Sequence, residues 1–194
     1  DVNYGGSTGF GRKYRERLNS KWGECDVFDC IFAAKSLIKL GKVDERLIAI
    51  EGGSAGGFTA LSCLSVTNLF KAAACRYAVS DLLSMSQETH RFESGYLEYL
   101  LGSSSDYKDL YYRSRSPLYN VDKINCPVIF FQGKKDKVVL PSQTKRIASE
   151  LIDKNIPVEL HEFENEGHGF RDGRVKVEAL KRTEDFFVKY LGIN

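Results

Sequence analysis

The sequence predicts an α/β fold, a mostly parallel sheet with helices on both faces. Three observations carry this. Strand-like and helix-like segments alternate along most of the chain. The strand-like segments include continuous apolar runs such as Val128-Ile129-Phe130-Phe131, the pattern of strands buried on both faces. One such run, Leu47 to Ile50, passes through a glycine-dense corner directly into a helix-forming series, as strands and helices join in layered α/β folds.

In chain order, Asp1 to Trp22 reads as loop, with Gly5-Gly6-Ser7-Thr8-Gly9-Phe10-Gly11 followed by basic residues. Close-set glycines can cradle phosphate, but this run lacks a Gly-Lys-Ser/Thr ending and follows no strong strand. It reads as a structured surface loop. Asp26 is placed as the cap of a helix whose stripe is Val27, Phe28, Ile31, Ala34, Leu37 and Ile38, ended by Gly41. The strand, corner and helix follow, the helix reaching about Val66. Ala72 to Val79 is a second buried strand, bounded by Ser80-Asp81. Leu82 to Leu101 is helical but less regular, with Met85, His90, Phe92, Tyr96 and Tyr99; a polar, tyrosine-rich stretch continues to Tyr119.

Because residues 81–119 lie between two strands of one sheet, they are expected to form a small helical cap near the strand ends. Their aromatics are read chiefly as packing. Pro127 introduces the Val128 strand, which ends in Gln132-Gly133-Lys134-Lys135-Asp136. Pro141-Ser142 opens a helix to roughly Lys154, with Ile147, Ala148, Leu151 and Ile152 inward. Val158-Glu159-Leu160-His161-Glu162-Phe163 alternates, as a half-exposed strand near a sheet edge does. A loop with Gly167-His168-Gly169 leads to a last helix, about Val175 to Leu191. Its apolar side is Val177, Leu180, Phe186, Phe187 and Tyr190. With no repeat or linker, residues 1–194 read as a single domain.

Composition narrows the function. The formal net charge is +2, from 28 Lys and Arg against 26 Asp and Glu. That balance is no footprint for nucleic acid or for an anionic membrane. No apolar run reaches the roughly 18 residues of a membrane span. No signal peptide opens the chain, and the missing initiator Met suggests a piece of something longer. The five cysteines, Cys25, Cys30, Cys63, Cys75 and Cys126, form no Cys-x-x-Cys and are odd in number. They read as reduced thiols of a cytoplasmic protein. None stands beside a glycine corner, so a cysteine nucleophile has no support. The three histidines are scattered without ligand spacing, so neither a metal nor a cofactor is expected.

The corner Gly52-Gly53-Ser54-Ala55-Gly56 carries the chemistry. Glycines two residues either side of a serine allow a tight bend and a close substrate approach. The serine hydroxyl is then presented at a helix N-terminus, with the Ala55 N–H free to donate to an oxyanion. Asp136 and His168 follow the carboxyl ends of two later strands, where active sites of parallel sheets gather. The order Ser…Asp…His matches an α/β-hydrolase fold. A serine hydroxyl is a weak nucleophile at neutral pH, so a base must take its proton. His168 would do so and then protonate the leaving group. Asp136 would hold its tautomer and stabilise the imidazolium. Of the rivals, His161 reads as surface, His90 as structural, and Asp81 is the main competitor for the acid.

The corner Gly52-Gly53-Ser54-Ala55-Gly56-Gly57 resembles that of the prolyl oligopeptidase family of serine peptidases, in its dipeptidyl aminopeptidase and acylaminoacyl-peptidase branch. Asn3-Tyr4-Gly5-Gly6-Ser7-Thr8-Gly9-Phe10-Gly11 is similar to that branch's Asn-Tyr-Arg-Gly-Ser-Thr-Gly-Tyr-Gly loop. Trp22-Gly23 with Asp26-Val27, Ser116-Pro117, Cys126-Pro127-Val128, Gln132-Gly133 with Asp136, and Gly167-His168-Gly169-Phe170 fit it too. The resemblance spans nearly the whole chain and implies Ser54, Asp136 and His168 as the triad and short peptides as substrates. It also implies a β-propeller, a second oxyanion-donating loop and the first sheet strands, all upstream of Asn3. By that pattern the chain is N-terminally incomplete, the C-terminal part of a catalytic domain. Tyr4, although beside a glycine pair, is not assigned the second donor's role. Feeble activity and, through an exposed sheet edge, homo-oligomer formation are the expected consequences. The family's specificity pocket maps to Asp81-Leu82-Leu83-Ser84-Met85, which makes Leu82 and Met85 candidate substrate contacts and suggests an uncharged side chain there. An esterase on the same fold and a non-catalytic binding module remain open alternatives.

Overall fold

Among the described residues, four parallel strands form one sheet in the order β1-β2-β3-β4: β1 Ala49–Gly53, β2 Ala72–Arg76, β3 Val128–Gly133 and β4 Val158–Phe163. The structure is a computed structural model that describes residues 1–88, 91–102 and 107–193. The helices are α1 Arg12–Arg15, α2 Cys25–Lys39, α3 Ala55–Leu64, α4 Leu82–Glu88, α5 Arg91–Leu101, α6 Lys108–Arg115, α7 Pro141–Asp153 and α8 Gly173–Leu191.

The period of two along the strands separates two cores. Ala73, Cys75, Val128 and Phe130 face a cluster built with Val27 and Ile31 of α2, Ala60 and Leu61 of α3, and Ile147 and Leu151 of α7. Ala72, Ala74, Ile129 and Phe131 face the other way, onto Ala179 and Phe186 of α8. β3 is buried at all six residues, as its unbroken apolar run requires. β4 is half-buried throughout and lies at one edge, in line with its alternating sequence. At the other edge lies β1, beside a groove of about 440 Å³ lined in part by Tyr4, Ile48, Ile50, Gly56, Thr59 and Phe70.

A third cluster sits over the C-terminal side of the sheet. Leu82 and Leu83 of α4, Leu97, Leu100 and Leu101 of α5 and Tyr112 of α6 pack with Trp22, Phe58, Val79 and Val139. The interval from Leu82 to Leu101 is thus two helices, and the stretch after it contains α6 and a 3₁₀ segment, Pro117–Lys123.

Several expectations need correction. Asp26 does not cap α2, whose N-cap is Glu24. It lies in the first turn, fully buried, accepting from the Gly23 N–H at 2.7 Å and from the Thr59 hydroxyl. Phe28, Leu37, Ile152 and Leu180 are exposed because each sits on the flank of a stripe wider than the surface it meets, and Val177 is exposed because it lies on the face of α8 opposite the buried Ala179 and Phe186. The second strand stops at Arg76, three residues early, because Tyr77 turns to φ 38°. In the glycine-rich start, read as a structured loop, the Gly5 N–H donates to the Asp29 carboxylate at 2.8 Å.

Candidate active site

Ser54, Asp136 and His168 converge at the carboxyl ends of β1, β3 and β4. Ser54 follows β1 directly and is the N-cap of α3, with φ 55° and ψ −120°. A serine in that region is strained, by about 1–3 kcal/mol. The surroundings hold it there: its N–H donates to the Arg76 carbonyl at 2.9 Å and its carbonyl accepts from Phe58 at 3.0 Å. Gly52 is required by closeness. A Cβ there would lie 2.2 Å from the Gly56 carbonyl oxygen, whereas a Cβ at Gly56 meets nothing within 4 Å. Ala55 is the first residue of α3. Its N–H is therefore among those a helix leaves without an internal acceptor.

Asp136 follows β3 through the turn Gly133–Asp136, and its side chain is completely buried. One carboxylate oxygen accepts the Val138 and Val139 N–H groups, at 2.9 and 3.0 Å. The other faces His168 Nδ1 at 2.9 Å and receives a longer bond from Gln132 at 3.3 Å. These bonds fix the carboxylate's plane and compensate its charge for burial.

His168 stands on a loop after β4, its ring about one-fifth exposed. Nε2 lies 2.8 Å from Ser54 Oγ. With Nδ1–H donating to Asp136, Nε2 is the acceptor and the serine hydroxyl the donor. The loop is clamped from below. Glu166, buried, accepts the Arg171 and Asp172 N–H groups at 2.7 and 3.0 Å, while its carbonyl accepts from Lys135 at 2.9 Å. A Cβ on Gly133 would lie 2.4 Å from that same carbonyl, so strand and loop can meet only over a glycine.

A family model for the prolyl oligopeptidase family matches residues 1–194. The chain belongs to the prolyl oligopeptidase family. Among solved structures of similar fold is a puromycin-hydrolyzing peptidase of Mycobacterium tuberculosis, 46% identical with a TM-score of 0.96, covering 100% of this chain and 29% of the other. Dipeptidyl aminopeptidase BIII of Pseudoxanthomonas mexicana is 30% identical over 98% of this chain and 28% of its own length. The acylamino-acid-releasing enzyme of Arabidopsis thaliana is 30% identical over 97% of this chain and 26% of its own length. The chain spans under a third of each of these prolyl oligopeptidase relatives.

In this family member the rival residues are committed elsewhere. Asp81 Oδ1 caps α4, accepting from Leu83 and Ser84, and Oδ2 pairs with Arg146 at 2.8 Å. His161 is not a surface residue: it is half-buried, stacked on Phe131 at 5.5 Å and paired with Glu159 at 3.4 Å. The α8 side of β4 is covered enough to shelter it. His90 lies outside the described residues. Leu82 has no exposed surface and belongs to the α4–α6 cluster, so this structure gives it no face for a substrate. Met85 is half-buried against the same cluster. All five cysteines are free; burial raises the Cys75 thiol and pushes Cys126 up to about 11, away from the thiolate a nucleophile needs.

Three features of the structure escaped the sequence pattern. Glu166 stands two places before His168 and looked like loop polarity. The Asp26–Thr59 contact joins residues 33 apart. Tyr77 lay within an expected strand. Only the Glu-Gly-His-Gly spacing offered a signal for any of them.

Proposed function

We propose that this chain carries the catalytic machinery of a serine peptidase that cleaves short peptides. The observation that supports it most is the chain of contacts Ser54 Oγ to His168 Nε2, 2.8 Å, and His168 Nδ1 to Asp136, 2.9 Å. In the proposed cycle, Ser54 Oγ attacks the scissile carbonyl carbon while His168 takes its proton. The Ala55 N–H donates to the developing oxyanion. The imidazolium, held against Asp136, gives its proton to the leaving amine, and an acyl-enzyme remains. Water then attacks that ester, His168 again acting as base, to release the acid and restore Ser54. The α4–α6 layer acts as a cap beside the site, with Met85 the better candidate of the two for substrate contact. Free, largely buried thiols fit a reducing cytoplasm.

The catalytic unit extends, in this proposal, beyond these 194 residues. The share of each relative that is matched supports it, as do the position of β1 at the edge of the sheet among the described residues and the apolar groove alongside. A neighbouring strand and the second oxyanion donor would come from that part of the polypeptide. The 194 residues alone are then expected to turn over feebly and to self-associate through the β1 edge.

The test is labelling of Ser54 by a peptidyl phosphonate in the intact protein, with turnover of dipeptide nitroanilides, puromycin and short acyl esters compared. Labelling at Ser54 with preferred peptide cleavage is expected. Absence of labelling would leave a binding module, and ester cleavage alone an esterase. Robust turnover and strictly monomeric light scattering by the 194 residues would overturn the second proposal.

A further inference from the structure

Tyr77 is the residue after β2, and its φ of 38° is costly for a bulky aromatic. Its backbone is fixed to the sheet: its N–H donates to the Phe131 carbonyl at 2.7 Å, and the carbonyl before it accepts from Ser54. The ring lies over the nucleophile strand. A Cβ on Gly53, the residue before Ser54, would come within 3.1 Å of its Cε2 and 3.3 Å of its hydroxyl oxygen. The same ring meets the His168 imidazole at 4.9 Å between centroids, inclined by 60°, and Phe170 edge-on at 5.2 Å.

The contact matters because the Glu166 clamp holds the loop, whereas the ring of His168 is set by side-chain contacts. His168 sits between Gly167 and Gly169, the latter at φ 79°. The bond from Nδ1 to Asp136 fixes one corner of the imidazole but lets the ring swing about that corner. A second contact, off that axis, is needed to keep Nε2 on Ser54 Oγ.

We propose that Tyr77 is a positioning residue: its ring, wedged between Gly53 and the imidazole, holds His168 in register with Ser54. The strained φ is the cost of turning a strand residue sideways into that gap. The inference rests on the catalytic reading of Ser54 and His168, and adds that the aromatic ring rather than the phenol hydroxyl is what the site needs.

The intact protein and its Tyr77→Phe, Tyr77→Leu and Tyr77→Asn variants are compared by two readouts. One is the downfield proton resonance of the His168 Nδ1–H bonded to Asp136, assigned by its loss in His168→Ala. The other is the rate of Ser54 phosphonylation. The Phe variant is expected to keep the resonance and a rate within about threefold, whereas Leu and Asn broaden or lose the resonance and slow labelling about tenfold or more, as a displaced base requires. Asn accepts positive φ, so it decides the matter if the Leu variant does not fold. Retention of the resonance in both Leu and Asn variants overturns the proposal, whatever the labelling rate. If the unmodified protein shows the resonance but never labels, the peptidase reading fails, and the proton readout alone judges Tyr77.

Discussion

His168 Nε2 and Ser54 Oγ lie 2.8 Å apart although 114 residues separate them in the chain. The distance is short enough for proton transfer without further movement. It is reached because β1, β3 and β4 run parallel, so their following loops meet on one side of the sheet.

The first prediction concerns the tautomer. In Asp136→Asn, the amide oxygen can still accept the Val138 and Val139 N–H groups, but the NH₂ then faces His168 Nδ1. The imidazole is driven to carry its proton on Nε2, where it cannot accept from Ser54. We expect kcat/KM on a peptide nitroanilide to fall about 10⁴-fold, with Ser54→Ala falling at least as far. The fold should be intact by circular dichroism. An Asn variant within tenfold of the parent would show that another carboxylate serves His168.

The second prediction separates the glycines of the corner. Gly52→Ala places a methyl 2.2 Å from backbone, which no side-chain rotation relieves. A loss of about 3 kcal/mol in urea unfolding, together with loss of Ser54 labelling, is expected. Gly56→Ala meets open space inside the first turn of α3. Alanine is favoured over glycine in a helix by up to about 1 kcal/mol, so stability should be equal or higher. Equal damage from both substitutions would contradict the geometry.

A third prediction follows from the clamp under the histidine loop. Glu166→Ala removes the acceptor of the Arg171 and Asp172 N–H groups in a part-buried turn. A cost of about 1–3 kcal/mol is expected for the lost acceptors. Because the loop carries His168, kcat should fall while KM changes little. Glu166→Gln, which keeps one acceptor oxygen, should lie between. An alanine variant with unchanged kcat would make the clamp purely structural.

The strand segments, the corner and the three converging residues were legible because each leaves a local mark. Val128 to Phe131 is too apolar for an edge strand, and Gly-x-Ser-x-Gly is a backbone requirement written as residue types. What the chain hides is contact across distance. Ser54's own positive φ, Tyr77's turn out of β2 and the burial of Asp26 under Thr59 depend on neighbours 22 or more places away, or on strain that an ordinary residue type does not announce. The same holds for Leu82. The family resemblance makes it a pocket residue, yet it packs in a cluster with Trp22 and Phe58, from remote segments.

The last prediction concerns Asp26, whose carboxylate is fully buried and whose pKa is raised by that burial despite bonds from Thr59 and Gly23. The folded state thus holds its proton more tightly than the unfolded chain does. The group costs the fold least below the unfolded value of about 3.9. Stability falls as pH rises from there through the higher folded value, and the penalty is constant above it. Asp26→Asn removes the titration while keeping the pairing: its oxygen accepts from Gly23, its NH₂ donates to Thr59, and the Thr59 hydroxyl turns to the Ala55 carbonyl, already 3.2 Å away. At pH 7 the Asn variant should be within about 1 kcal/mol of the parent or more stable, whereas Asp26→Ala, which leaves the Gly23 N–H without its acceptor, should lose about 1–3 kcal/mol. On acidification from pH 7 towards 4, urea unfolding should show the parent gaining on the Asn variant. Parallel pH profiles for the two would mean that Asp26 titrates no differently in the folded protein than in the unfolded chain.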